Sequence, residues 1–140
     1  MSELKWYDGP SLESASRVVA LAGSYRTDSL LTSYAQFLET QVLGSLTELE
    51  KTVVGVEVLQ REVNAGGFDT FFEHFSSFAP AARQGLQNIS RPEVLRLLTT
   101  AETLHPEDFE SFDALDQAYF DLGLDLSGDL LLFIVAELGK

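Results

Sequence analysis

Cysteine is absent from this 140-residue chain, which excludes disulfides and thiolate metal sites. No apolar run approaches the roughly 18 residues of a membrane span. The start, Met1-Ser2-Glu3-Leu4-Lys5-Trp6-Tyr7-Asp8, has neither the basic segment nor the apolar core of a secretory leader, so the expected location is the cytoplasm. Internal repeats, low-complexity tracts and Ser/Gly linkers are missing, and the expectation is one domain over residues 1–140. An apolar fraction of 45% and a charged fraction of 22% suit a folded chain with a real core rather than a disordered one.

Positive charge is also scarce. Twenty-two acids face nine Lys and Arg, for a net charge of −13. The imbalance is concentrated at one end: residues 1–40 and 41–100 each carry −2, whereas residues 101–140 hold ten acids and one base, Lys140. Such a field repels nucleic acid and anionic membranes and attracts basic partners. Direct nucleic-acid binding and membrane binding are therefore not expected.

What is abundant is helical punctuation. Ser11 is placed to cap a helix running towards Ala22 and ending at Gly23. Asp28 is placed to cap the next, with Leu30, Leu31, Tyr34, Phe37, Leu38 and Val42 forming an i, i+3, i+4 stripe. Thr47-Glu48-Leu49-Glu50 has the form of a capping box. It opens a helix that presents Leu49, Val53, Val56, Gln60 and Val63 on one face. Gly66-Gly67 ends it, since glycine adopts positive φ without a Cβ penalty. A short helix with Phe68, Phe71, Phe72 and Phe75 follows, and Pro80 suits the first turn of a helix over Ala79–Asn88. Ser90-Arg91-Pro92-Glu93 reads as a second capping box ahead of Val94, Leu95, Leu97, Leu98 and Ala101. Two more helices are expected over about Pro106–Leu122 and Ser127–Leu138. The strand-like stretches Val53-Val54, Val56 and Phe133-Ile134-Val135 lie inside helical patterns, and no Asn-Gly hairpin signal exists. The expected fold is all-α, a single compact domain of about seven or eight short helices.

On a wheel of 100° per residue, the apolar arc of Pro106–Leu122 holds Phe109, Phe112, Leu115, Tyr119, Phe120 and Leu122. Glu107, Glu110, Asp113 and Asp121 fall opposite, forming a solvated acidic ridge that Asp125 and Asp129 extend. Asp108 belongs to the first turn, where free amides favour a carboxylate. Asp116 lies among the apolar residues in mid-helix and needs buried donors; Arg61, Asn64 and the Gly66-Gly67 amides are the candidates.

Other chemistries lack their residues. Glu62-Val63-Asn64-Ala65-Gly66-Gly67 has neither the Lys-Ser/Thr of a P-loop nor the strand of a dinucleotide-binding turn. A structural turn is the better reading, with Asn64 satisfying backbone groups there. His74 and His105 have no ligand-spaced partner, so no metal is expected. Ser45 and Ser111 lack a nucleophile elbow. Glu62 and Glu73, close in sequence to Arg61 and Arg83, suit surface ion pairs better than acid–base work. No catalytic residue and no cofactor are expected.

Glu62-Val63-Asn64-x-Gly66-Gly67-Phe68 followed by Phe71-Phe72 resembles the signature of the DMP-like family, a bacterial family of largely unknown function whose named member is a DNA mimic. Leu115-Asp116 with Tyr119-Phe120 resembles its second recurrent element, and the likeness covers about Val53–Leu138. The family usually has Asn where Ala65 stands and often Gln at Thr70. The resemblance implies a helical fold in which Glu62, Asn64, Gly66, Gly67, Phe68 and Asp116 form a structural signature. Joined to the charge, it implies an acidic, non-enzymatic interaction protein whose ridge of Glu107, Glu110, Asp113, Asp121, Asp125 and Asp129 occupies the basic DNA-binding face of a regulator. Two alternatives stay open: an immunity or antitoxin-like inhibitor of a basic toxin, and a small-ligand binder or enzyme using a pocket around Asn64, Phe68 and Asp116. Self-association as a homodimer is compatible with the phenylalanine content. Trp6 and Tyr7 are open between packing on the domain and on a second copy.

Overall fold

The computed structural model describes residues 3–140; Met1 and Ser2, the first two residues of the stretch tested for a leader, lie outside it. Eight α-helices follow one another: α1 Ala15–Leu21, α2 Thr27–Glu39, α3 Glu48–Gly66, α4 Phe68–Phe75, α5 Ala79–Asn88, α6 Pro92–Glu102, α7 Phe109–Leu122 and α8 Leu126–Leu138. Short 3-10 turns at Leu43–Ser45 and Ser76–Phe78 complete the helical content. Among the described residues there is no strand, only isolated bridges of Tyr25 with Lys5 and Ala22. The all-α expectation holds. No helix of the described residues is long and apolar enough to cross a membrane.

The axis of the fold is α3. Its start is the expected capping box: the Glu50 amide donates to Thr47 Oγ1 at 3.2 Å and the Thr47 amide to Glu50 Oε1 at 2.8 Å. Instead of one buried face, Thr52 to Leu59 are buried all round, because α2, α4, α5 and α8 all pack against this helix. The closest approach is to α5. A Cβ on Gly55 would lie 2.5–2.8 Å from the Ala81–Ala82 backbone, and one on Gly85 2.7 Å from Val56. Those two glycines let the helices meet almost backbone to backbone. Phe68 and Phe71 seal the end of the same core, whose residues run from Tyr7 to Ile134.

Several helix starts differ from expectation. Ser14, not Ser11, caps α1, accepting from the Arg17 amide at 3.2 Å. Asp28 lies inside α2, taking the Ser29 amide and pairing with Arg26. Val42 is past the end of α2 and 76% exposed. Ser90 does not cap α6. It has φ +59° and belongs to the end of α5, where the Arg91 amide donates to the Leu86 carbonyl at 2.9 Å in a left-handed helix stop. Asp108 accepts from the Ser111 amide at 3.2 Å and starts α7 at Phe109, three residues later than Pro106. Gly66 is still helical; only Gly67 turns the chain, with φ +94° and ψ 176°.

Tyr7 packs back onto the domain. Its amide donates to Ser29 Oγ at 2.9 Å, its hydroxyl to the Pro10 carbonyl at 2.6 Å, and its ring meets Tyr25 edge-on. Trp6 stays half exposed, with the Arg26 guanidinium 5.3 Å over its ring.

Candidate functional site

The last helix pair places most of the excess charge at the margin of the bundle. Packed mainly on α4 and α6, α7 buries a narrow strip, Phe112 and Tyr119. On its outer side Glu110, Asp113 and Asp121 are exposed, and Gln117 donates to Asp121 at 2.8 Å. At 3.6 residues per turn these side chains share one face, running about 16 Å from Glu110 to Asp121. Glu107 is exposed in the turn before the helix rather than on it, and Asp125 is exposed as the cap of α8, accepting from the Gly128 amide at 2.9 Å. Residues 107–125 contain seven carboxylates and no Lys or Arg. Among the described residues none of the seven makes an ion pair.

Asp129 does not join the ridge. Arg91 clamps it with two bonds, Nε to Oδ2 at 2.6 Å and Nη2 to Oδ1 at 3.0 Å, and its side chain is only 17% exposed. One turn on from Asp125, Asp129 faces Arg91, the residue just before α6, which neutralises it. The expected apolar arc of α7 is also too wide. Phe109 is 63% exposed and Phe120 47%, with Leu122 beside them, because nothing covers the flanks of the strip that Phe112 and Tyr119 fill. Aromatic surface thus borders the acids, and exposed aromatics of this kind are enriched at protein interfaces, with charges at the rim.

Asp116 ties this helix to the signature turn. Its Oδ1 accepts the Phe68 amide at 2.9 Å, the first free amide of α4, which Gly67 has no side chain to cap. The donor is one residue beyond the expected Gly66-Gly67 pair. Arg61 is engaged elsewhere, by Glu39 at 2.7 and 3.0 Å and Glu62 at 2.7 Å. Burial holds the Asp116 carboxyl above its ordinary range, opposed by the Phe68 amide and reinforced by Asp69 and Asp113. Next to it Tyr119 meets the buried Phe68 ring edge-on, centroids 6.0 Å apart. Replacing Asp116 with Ala orphans the Phe68 amide and is expected to destabilise by about 1–3 kcal/mol. Asp116→Asn, which keeps an acceptor, should lose less; urea unfolding of both checks this.

The Asn64 side chain is exposed and makes no hydrogen bond among the described residues, contrary to the expected backbone role. It lines a cleft of about 520 Å³. Asp116 is not among the lining residues, so the pocket expected around Asn64, Phe68 and Asp116 does not form. The cleft reaches inward instead to Glu57, a residue the sequence pattern did not single out. Glu57 is 5% exposed. Ser127 Oγ lies 3.2 Å from both its oxygens and Gln60 donates to it as well. Burial pushes the Glu57 carboxyl up to about 7, against the hydrogen bonds from Gln60 and Ser127. A signal was present: Glu57 sits between Val56 and Val58 in the densest apolar stretch of the chain, where a carboxylate is out of place.

Among the described residues no group of three or more His, Cys, Asp or Glu is placed to hold a metal ion. His74 and His105 are both exposed, and His105 Nδ1 accepts the Glu107 amide at 3.1 Å. Glu62 pairs with Arg61, while Arg83 pairs with Glu102 rather than Glu73. No curated protein and no solved structure matches the chain. A family model described as DMP19-like protein matches residues 44–137, more than half of the chain. It spans α3, the Gly67 turn, the Phe68–Asp116 bond and the acidic helix α7, and the chain belongs to the DMP19-like protein family.

Proposed function

We propose that this protein is a non-enzymatic acidic interaction protein that imitates the DNA backbone and occupies the basic DNA-binding face of a regulator. The observation that carries the reading is the stretch 107–125, seven carboxylates with no base among them, on and at the ends of a helix fixed to the core through Asp116 and Tyr119. A DNA mimic as the named member of the family points the same way. Rigidity matters because a flexible acidic tail would lose conformational entropy on docking. The charge density sets the scale of the contact. A duplex of the same 16 Å carries about nine or ten charges, whereas α7 presents three in that row. The ridge therefore engages one stretch of a basic groove, and Phe109 and Phe120 supply apolar contact that DNA lacks.

The test is a charge-neutralised variant, Glu110→Gln/Asp113→Asn/Asp121→Asn. These residues are exposed, so the fold should melt unchanged. Binding to a basic regulator retained from the source lysate at low salt should weaken by roughly tenfold or more, mostly through slower association, and the wild-type complex should dissociate as salt rises. Retention unaffected by the triple substitution contradicts the proposal.

A further inference from the structure

The cleft beside α3 shares only Asp125 with the acidic stretch and has its own chemistry. It opens between α2, α3 and the start of α8, with a volume of about 520 Å³, within the range of small-molecule sites. Two carboxylates line it without a cation: Glu57 at its inner wall and Asp125 at its rim. The other charges lining it are already matched. Arg26 holds Asp28 at 2.6 Å, and Glu39 and Glu62 hold Arg61. The unpartnered Asn64 amide adds a polar wall, and the Trp6 indole forms part of the mouth. A buried carboxylate with no cationic partner costs stability, and here it is retained at the side of an open polar cleft.

We propose that this cleft binds a small organic cation, an alkyl chain ending in a guanidinium or protonated amine, whose N–H donors contact Glu57 and Asp125 while its chain lies against Leu124 and Trp6. Three features match that class. Several acceptors around one space suit a group with several N–H donors and no acceptor. The net field of the protein concentrates cations at the entrance. The ring at the mouth already carries a guanidinium, that of Arg26, so its face suits such groups. Arginine side chains and free alkylguanidines share this chemistry, and the two sources differ in whether a peptide backbone fits.

Binding should be pH-dependent. The groups facing Glu57 are Asp28 from α2, Gln60 and Arg61 on α3, Tyr119 from α7 and Ser127 on α8. With its carboxyl near 7 in the free protein, Glu57 must lose a proton to meet a cation. Affinity should rise roughly tenfold from about pH 6 to about pH 8, with proton uptake by buffer at the lower pH.

Calorimetry on the whole chain tests the proposal with agmatine as the free cation and N-acetyl-arginine methylamide as the side-chain form. Saturable one-to-one binding of either, weakened about tenfold or more by Glu57→Gln, is the expected result. Preference for agmatine assigns the site to a free alkyl cation, and preference for the capped arginine assigns it to a peptide side chain. Asp125→Asn, which keeps its capping oxygen, supplies a second variant should Glu57→Gln fail to fold. Absence of saturable binding by both probes overturns the proposal. So does binding that neither substitution weakens, which would reflect only the general attraction of an acidic protein. The α7 acids are untouched by these variants, so the outcome is separate from the partner test above.

Discussion

Substituting Gly67 with Ala should destabilise the protein by about 3 kcal/mol or more. Two independent costs meet at this residue. Its backbone, φ +94° and ψ 176°, lies in a region that residues with a Cβ adopt only at a cost of about 1–3 kcal/mol. A Cβ there would also run into the Asp116 carboxylate, displacing the group that caps α4 through the Phe68 amide. Gly66→Ala provides the contrast. Gly66 is helical, and the nearest atoms to a Cβ there all belong to the Thr70 side chain, whose hydroxyl bonds the Gly66 carbonyl; with no backbone strain to add, the change should cost clearly less than Gly67→Ala. In an Asp116→Ala background Gly67→Ala should cost measurably less, because the collision is gone while the backbone strain persists. Urea unfolding of the single and double variants reads all three values. Equal cost in both backgrounds would mean that Asp116 and Gly67 do not meet.

Glu57 controls the second large effect, the pH dependence of stability. Its carboxyl titrates near 7 in the folded protein against 4.5 ordinarily, so between those values the folded state binds more protons than the unfolded state. The sign follows: Glu57 is best tolerated below about pH 4.5, and stability falls as pH rises towards 7. Over the whole window the loss is about 3 kcal/mol, at about 1.4 kcal/mol per unit. Glu57→Gln should remove that slope, leaving the variant more stable than the wild type at pH 8 and near parity at pH 5. Denaturant unfolding at the two pH values checks this. A wild type and variant with parallel pH profiles would place the Glu57 titration at its ordinary value.

Local chemistry made much of the fold legible. The Thr47–Glu50 box, Pro80 in the first turn of α5 and the Phe68–Phe75 stripe are set by neighbours in sequence, and all appear where the pattern puts them. Errors gathered where two local solutions compete. Ser90 has the composition of a cap for α6 but serves the stop of α5, and Asp108 outcompetes Pro106 for the start of α7. The charged site was half legible. A wheel separates acids from aromatics along one helix but knows nothing of its neighbours, so it could not see that Phe109 and Phe120 lie beyond the cover of α4 and α6. Nor could it see that Arg91, thirty-eight positions away, neutralises Asp129. Asp116 was legible because a carboxylate in an apolar arc demands a donor; which amide answers depends on how α7 crosses α4. Glu57 was not legible as a site because an amphipathic helix leaves it a solvated side, which only the packing of α2, α4, α5 and α8 around α3 removes.

Carboxylates around α7 that stand in for phosphates on a basic surface must exclude DNA from it. Competition measures that exclusion most directly: the basic protein captured by the immobilised chain is challenged with duplex DNA, beside a neutral polymer as control. Duplex DNA is expected to displace the captured protein in proportion to its concentration, and the Glu110→Gln/Asp113→Asn/Asp121→Asn variant to capture little of it at the outset. A captured protein that binds duplex DNA and this chain at the same time, with neither weakening the other, would contradict it.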